Sequence, residues 1–237
     1  DRDMECFIRI MREKFSQNPD WQLMSIGISC GGPLDAEKGL ILSPPNLLKW
    51  EKADVYTPLK KEFGVPVMLQ NDADACALAE WSMGAGKGCK NMIFLTFGTG
   101  MGAGLILNNE LYSGTTSMAG EVGHIRMEED GPFGYGKYGS FEGFCSGGGI
   151  AKLGRIKAEE ALREGKHPLF CRSEAELEGI SSKSIAEALE QGDELAAEIF
   201  DTVGTYLGRG LSVLIDILNP QMIVIGTYLK RRKNLLL

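Results

Sequence analysis

A glycine-rich loop is the first feature of the sequence that could bind a ligand. In Gly98-Thr99-Gly100-Met101-Gly102, three of the five positions have no side chain. Backbone N–H groups in such a loop can approach an anion closely, and the Thr99 hydroxyl adds a donor. The pattern favours a phosphate group, although a plain hairpin turn can have the same composition. It is neither a Walker loop, because the Gly-Lys-Ser/Thr ending is absent, nor a Rossmann fingerprint, because a strand is predicted where a helix should follow.

Asn71 and Asp72 are candidates for a second chemical role. They follow a strand predicted over residues 65–70, and the carboxyl ends of strands are where α/β proteins place ligand groups. A carboxylate there can accept a proton from an attacking hydroxyl, so Asp72 is a candidate general base. Asp72 also precedes an alanine-rich helix that it could cap. The sequence leaves these two roles open.

Glu121, His124 and Glu142 form a further polar set near glycine-rich turns. Carboxylates are strong acceptors and sugars offer many hydroxyl donors, so two acids and a histidine could hold several hydroxyls of one sugar. A lone histidine is commonly structural. This set therefore supports a sugar site only in combination with the neighbouring motifs.

The elements that must position these residues follow from the spacing of apolar residues. Spacings of three and four predict an opening helix to about Phe15, and Asp193 and Asn219-Pro220 mark the start and the end of a long helix. Strands that alternate with helices predict a mixed α/β fold. We predict strands over residues 23–29, 65–70, 92–97, 102–107 and 222–225, and helices from Thr57 and over residues 73–83, 148–163, 184–190 and 193–218.

The glycine-rich segment 84–88 suggests a boundary between two lobes. We assign residues 1–88 to part of a small N-terminal lobe, which holds the sugar side and the candidate base. Residues 89–237 form a large lobe with the phosphate loop, the acid and histidine set and the nucleotide side.

The composition excludes several classes of protein. The 237 residues include 25 Lys and Arg against 32 Asp and Glu, which gives a net charge of −7, and 43% are hydrophobic. This balance is typical of a packed globular chain, and the negative charge disfavours binding to nucleic acid backbones. No segment approaches the roughly 18 to 20 continuous apolar residues of a membrane-spanning helix, and no signal peptide is evident. We expect a cytoplasmic protein without membrane partners.

Several short motifs occur in a fixed order along most of the chain. This order resembles the ROK family of sugar kinases and sugar-responsive repressors. The motifs are Gly27-Ile28, Gly32-Pro33-Leu34-Asp35, Ser43-Pro44-Pro45-Asn46-Leu47 with Trp50, Asn71-Asp72-Ala73, Gly98-Thr99-Gly100-Met101-Gly102 and Ala119-Gly120-Glu121-Val122-Gly123-His124.

The resemblance implies a two-lobe fold of the actin-like, hexokinase-like (ribonuclease H-like) kind, in which MgATP phosphorylates a hydroxyl of glucose or a related aldose such as N-acetylmannosamine. It makes Asp72 the catalytic base and Ser146-Gly147 a weaker candidate for nucleotide contact, and it implies a homodimer. The sugar would be held by Gly32, Asn46, Asn71, Asp72, Glu121, His124 and Glu142, and ATP by Gly98, Thr99, Gly100, Gly102 and Gly226.

The sequence departs from the family pattern at a metal motif. Many ROK proteins carry Cys-x-Cys-Gly-x-x-Gly-Cys-x-Glu, whose thiolates bind a structural zinc together with the histidine of the Gly-His motif. Here Phe133, Tyr135 and Ser140 occupy the three cysteine positions. A structural zinc site needs about four ligands, so we predict no zinc and aromatic packing of Phe133 and Tyr135 in its place.

The family's first phosphate motif, Asp-x-Gly-Gly-Thr on an N-terminal hairpin, does not occur, and the residues after Gly226 also depart from the pattern. We therefore expect a fold that is incomplete at both ends and a chain that cannot by itself turn over ATP. Besides the kinase, two alternatives stay open. One is a sugar-sensing repressor with a DNA-binding module before residue 1, and the other is a degenerate protein that binds sugar without chemistry. Retention of Asp72 favours the kinase.

Overall fold

The computed structural model describes residues 2–44, 47 and 49–226, and within them the chain has the predicted mixed α/β organisation. The helices are α1 (Arg2–Ser16), α2 (Tyr56–Phe63), α3 (Asp72–Met83), α4 (Phe141–Cys145), α5 (Gly147–Arg163), α6 (Ser182–Glu190) and α7 (Glu194–Leu218), with 3-10 turns at Val122–His124 and Glu174–Gly179. The strands are β1 (Ile26–Cys30), β2 (Leu34–Asp35), β3 (Leu40–Ile41), β4 (Ala53–Asp54), β5 (Val67–Asn71), β6 (Met92–Phe97), β7 (Met101–Leu107), β8 (Glu110–Leu111), β9 (Phe133–Gly134), β10 (Lys137–Tyr138) and β11 (Met222–Gly226).

The N-terminal part is built on a parallel pair of strands. β1 and β5 lie in register from Ile26 opposite Val67 to Cys30 opposite Asn71. Parallel strands end at the same edge of a sheet, so the turn after Cys30 and the start of α3 lie side by side. This edge is one wall of the candidate site.

A four-stranded sheet, in the order β11-β6-β7-β8, forms the centre of the larger part. β6 and β7 are an antiparallel hairpin, and β11 pairs with β6 in parallel. Successive side chains of a strand point to opposite faces. Ile93 and Leu95 accordingly belong to the core that includes helices α4 to α7, whereas Met92 and Phe94 pack with Ala77 of α3.

Helix α3 packs closely on β7 because position 104 of the strand lacks a side chain. A Cβ atom added to Gly104 would lie 2.5 Å from the Cβ of Ala77 and 2.6 Å from the carbonyl oxygen of Ala73. Since α3 also contacts β1 and β5, it joins the parallel pair to the four-stranded sheet. The division into lobes at residues 84–88 stays a prediction.

Several boundaries differ from the prediction by one to three residues, and one short helix was not predicted. The first strand begins at Ile26 rather than at Leu23, and the Met24 side chain is 69% exposed. α4 was not predicted, because five residues are too few to show helical periodicity. The long helix is confirmed: the Asp193 carboxylate accepts a hydrogen bond from the N–H of Ala196 at 2.7 Å, and Asn219 ends it in the left-handed conformation.

None of the helices in the described ranges is both long and apolar enough to cross a membrane.

Candidate functional site

A cleft of about 390 Å³ lies where the end of β5, the β6–β7 loop and the segment before α4 meet. Most of the predicted site residues line it, although they come from distant parts of the sequence. The predicted residues in its wall are Gly32, Asn71, Asp72, Gly98, Thr99, Gly100, Gly102, Glu121, His124 and Glu142.

Two predicted residues are placed differently. Asn46 lies outside the described residues. Gly226 ends β11 opposite Thr96 and is not part of the cleft wall. A Cβ atom there would lie 2.2 Å from Cζ of Phe94, so this glycine is required for close packing of the sheet.

Asn71, and not Asp72, caps helix α3. The Asn71 side-chain oxygen accepts hydrogen bonds from the N–H groups of Ala73 at 2.9 Å and Asp74 at 3.4 Å. β5 extends one residue further than predicted, so Asp72 becomes the first residue of the helix. Its carboxylate is exposed to the cleft, and one oxygen accepts from the N–H of Ala73 at 2.9 Å, while its Oδ2 accepts from no described residue. The capping role that the sequence left open for Asp72 is therefore wrong.

The glycine loop presents free donors to the cleft. The N–H of Gly98 donates to the carbonyl of Gly100 at 3.0 Å, and the N–H of Met101 donates to Glu142 at 2.9 Å. The N–H groups of Thr99 and Gly100 have no acceptor among the residues that the structure describes. Such unpaired donors at the turn of a hairpin are suited to an anion.

The start of α5 supports this loop from behind. The N–H groups of Gly147 and Gly148 donate to the carbonyls of Gly98 at 2.9 Å and Thr99 at 3.2 Å. Ser146 is buried and its hydroxyl accepts from the N–H of Gly149 at 2.9 Å. Gly147 and Gly148 thus hold the loop in place, and Ser146 caps α5. Neither Ser146 nor Gly147 lines the cleft.

Glu142 has a role that sequence reasoning missed. Its Oε2 atom accepts the N–H of Met101, so the carboxylate lies directly against the glycine loop. A Cβ atom added to Gly100 would lie 2.8 Å from the same oxygen. A side chain at position 100 would therefore require the Glu142 carboxylate, the flexible end of that side chain, to shift. No local pattern in the sequence indicates a contact between residues so far apart.

Burial and neighbouring carboxylates change the acidity of two groups. Asp74, which is 4% exposed, has its pKa raised to about 6, first by burial and further by Asp72 and Glu121, while hydrogen bonds from Gln70 and Ser113 oppose the shift. Burial also raises the pKa of Glu121, with Glu142 and Asp72 adding to the shift and His124 opposing it. Asp72, Glu121 and Glu142 line the cleft together, so this wall is rich in acceptors, which suits the hydroxyl groups of a neutral ligand better than a bare phosphate.

Further lining residues had no recognisable sequence signal as ligand contacts. Ser117 and Met118 belong to a loop without periodicity, and Thr96 is the one half-exposed residue of β6. Tyr135 also lines the cleft and stacks on His124, with ring centroids 3.8 Å apart and 15° between the planes. The described residues contain no group of three or more His, Cys, Asp or Glu side chains that could hold a metal ion.

Comparisons with known proteins identify the family of the chain. The ROK family model matches residues 5–236. A glucokinase from Streptomyces coelicolor is 31% identical over 217 residues, which make up 91% of this chain and 68% of that protein.

Two solved structures share the fold. A ROK family glucokinase from Streptomyces griseus, in complex with glucose and AMPPNP, is 29% identical with a TM-score of 0.73, over 94% of this chain and 71% of that chain. A ROK family transcriptional regulator, a homolog of the E. coli MLC protein, is 28% identical with a TM-score of 0.82, over 98% of this chain and 57% of that chain. The chain thus spans between 57% and 71% of the length of these solved relatives. Because the family match covers nearly all of the sequence, the chain belongs to the ROK family and has the actin-like, hexokinase-like fold of the family's sugar kinases.

Proposed function

We propose that the protein is an ATP-dependent sugar kinase, which transfers the γ-phosphoryl group of ATP to a hydroxyl of glucose or of a related aldose such as N-acetylmannosamine. The observation that carries the proposal is that one cleft contains both an exposed carboxylate at a helix start and a glycine loop with unpaired N–H donors. The sequence relationship to the Streptomyces coelicolor glucokinase supports it.

The two halves of the chemistry lie close together. A Cβ atom added to Gly102, at the end of the loop, would lie 3.8 Å from the Cβ of Ala73, which directly follows Asp72. Since the loop and Asp72 also line one cleft, a phosphate held by the loop would lie near the Asp72 carboxylate. Phosphoryl transfer depends mainly on an in-line hydroxyl and on neutralised phosphate oxygens, so this placement is what the reaction requires of the protein.

MgATP, when bound, would supply the phosphoryl group, and its metal would neutralise charge on the phosphate oxygens. The free N–H groups of Thr99 and Gly100 would hold the phosphates. In the proposed reaction Asp72 accepts the proton of the attacking sugar hydroxyl.

The sugar would be held at the acceptor-rich wall. Glu121 and His124 form a pair, with 3.4 Å between Oε2 and Nε2, and both line the cleft. The side-chain oxygen of Asn71 accepts the hydrogen bonds of the helix cap, so its side-chain nitrogen, Nδ2, is left to donate. A Cβ atom added to Gly32 would lie 3.6 Å from Nδ2. Gly32 thus allows the sugar to approach the Asn71 amide.

An assay of ADP release, coupled to a dehydrogenase and run on the whole gene product with MgATP, tests the proposal and identifies the substrate. We expect turnover that depends on one member of a panel of hexoses and N-acetylhexosamines. Absence of turnover with every sugar, in a preparation that binds one of them by calorimetry, would contradict the kinase and support a binder without chemistry.

A sugar-responsive regulator is the second candidate, because the chain superposes on the ROK transcriptional regulator with a TM-score of 0.82. Specific and sugar-dependent binding of the whole gene product to DNA, without turnover, would favour it. The exposed Asp72 carboxylate favours the kinase, because a sensor does not need a base. A homodimer and a cytoplasmic location stay predictions.

A further inference from the structure

A short hairpin next to the cleft has an unusual turn. β9 and β10 are joined by Tyr135 and Gly136, whose φ angles are 43° and 75°. A two-residue hairpin turn with two positive φ angles favours Asn, Asp or Gly at its first position, and a bulky aromatic residue is uncommon there. The turn geometry alone therefore gives no reason for a tyrosine at position 135.

Core packing does not explain the tyrosine either. Tyr135 is 57% exposed, so most of its ring lies outside the protein interior. Its main contact is the His124 imidazole, on which it stacks at 3.8 Å and 15°. The same hairpin holds His124 a second time, because Nζ of Lys137 donates to the His124 carbonyl at 3.0 Å.

Phe133 and Ser140, at the other two cysteine positions of the family's metal motif, make contacts that leave no place for a metal. The Phe133 ring packs edge-on against Tyr138, with centroids 5.3 Å apart, and Nζ of Lys152 lies 5.5 Å from its centroid. The Ser140 hydroxyl is fully buried, donates to the Gly134 carbonyl at 3.2 Å and accepts from the N–H of Gly143 at 3.0 Å. These three positions do not fit a structural zinc, which needs about four soft or imidazole ligands.

We propose that Tyr135 is a positioning residue, which fixes the His124 ring for sugar binding in the place where the family's cysteine motif would use a metal. The stack leaves the imidazole edge directed to Glu121, at 3.4 Å between Nε2 and Oε2. The inference rests on the proposed function for the identity of the ligand, a hexose.

The matched variants are Tyr135→Asn and Tyr135→Phe. Asparagine suits the left-handed conformation, so Tyr135→Asn removes the stacked ring but keeps or improves the turn. Phenylalanine keeps the ring and removes only the hydroxyl. In Tyr135→Asn the His124 ring loses the stacking that orients it. We expect sugar binding to weaken roughly 3- to 10-fold, in line with the strength of an aromatic pair. Because His124 would contact the sugar in both the ground state and the transition state, the loss should raise KM for the sugar and leave kcat nearly unchanged.

A spectroscopic measurement tests the stack without any turnover. The Tyr135 ring current should displace the proton NMR signals of the His124 imidazole, which can be assigned by their disappearance in His124→Asn. We expect these signals to move in Tyr135→Asn and to stay in Tyr135→Phe, with an unchanged or higher Tm for the asparagine variant. Sugar affinity, measured by calorimetry, should fall in the asparagine variant only.

The outcomes separate this inference from the kinase proposal. A protein without turnover in which Tyr135→Asn still moves the His124 signals and weakens sugar binding would contradict the kinase and keep the positioning role. Unmoved His124 signals, or moved signals with unchanged sugar affinity, would overturn the positioning role. One tightly bound zinc per chain that is lost in His124→Asn would overturn it as well.

Discussion

Two carboxylates, Glu142 in the cleft wall and Asp74 in the first turn of α3, hold neighbouring parts of the chain together. Glu142 fixes the phosphate loop through the N–H of Met101, and Asp74 links α3 to the loop after β8 through the Ser113 hydroxyl, at 3.4 Å. Each carboxylate joins two parts of the chain that are distant in sequence, so its substitution affects geometry as well as charge. One prediction concerns Asp74, and another concerns the contact of Glu142 with the glycine loop.

Asp74 should make stability depend on pH in a definite direction. Its pKa in the folded protein is about 6, above the ordinary value of 3.8, so between these values the folded state holds a proton that the unfolded state has lost. The free energy of unfolding therefore decreases as pH rises through this window and is level above it. Asp74→Asn removes this destabilisation and should be more stable at pH 7 by about 1 to 2 kcal/mol, with no gain below pH 4.

Urea unfolding of both proteins at several pH values measures this difference. Asp201→Asn is the control, because Asp201 is exposed on α7. A difference between wild type and Asp74→Asn that does not change with pH would show that Asp74 titrates normally.

Gly100→Ala should disrupt the phosphate loop. The new methyl group would stand 2.8 Å from Oε2 of Glu142, so either the carboxylate or the loop must move. We expect a loss of about 1 kcal/mol of stability and, in the active protein, a loss of at least roughly tenfold in kcat/KM for ATP. Gly98→Ala is the control for stability, since a Cβ atom there meets nothing within 4 Å. Equal stability and equal ATP kinetics of Gly100→Ala and wild type would contradict the role given to this contact.

At the scale of elements, glycines decide how closely helices and strands approach. Gly104 lets β7 lie against α3, which carries the candidate base, and Gly148 lets α5 meet the carbonyl of Thr99. The same residue type has the opposite effect where no neighbour is close, because glycine in an open helix only adds flexibility to the unfolded chain.

Helix α7 offers a direct test of this distinction. Gly204 is exposed with nothing within 4 Å of an added Cβ atom, whereas such an atom on Gly210 would lie 2.2 Å from Cζ of Phe141. Gly204→Ala should raise stability by about 0.5 to 1 kcal/mol. Gly210→Ala should lower it by roughly 1 to 3 kcal/mol because α4 must move. Thermal unfolding compares them, and a stabilised Gly210→Ala would contradict the packing of α7 against α4.

For the whole molecule, periodicity and motif order predicted the fold class, the long helices and the residues that meet in the cleft. They did not predict α4, the exact start of α3 or the contact between Glu142 and Met101. Short helices leave no periodic signal, and capping depends on where the preceding strand ends. The Glu142 contact joins residues that are far apart in the sequence, so only the tertiary structure reveals it.

The β9–β10 hairpin illustrates the same limit. The sequence indicated that Phe133 and Tyr135 replace metal ligands, and it predicted aromatic packing there. Tyr135 does stack, but on His124, whereas Phe133 packs against Tyr138. Tyr135 has a positive φ angle, which no sequence pattern favours for tyrosine, so the position of its ring could not be predicted.

The central claim is that Asp72 is the base of a sugar kinase. The most direct test measures sugar-dependent ADP release by Asp72→Asn, together with its affinity for the same sugar by calorimetric titration. Asparagine keeps the size of the side chain and removes the proton acceptor, so kcat should fall by about 10² to 10⁴, while much of the sugar affinity is retained. Turnover by Asp72→Asn close to that of the wild type, in a folded preparation, would contradict the account.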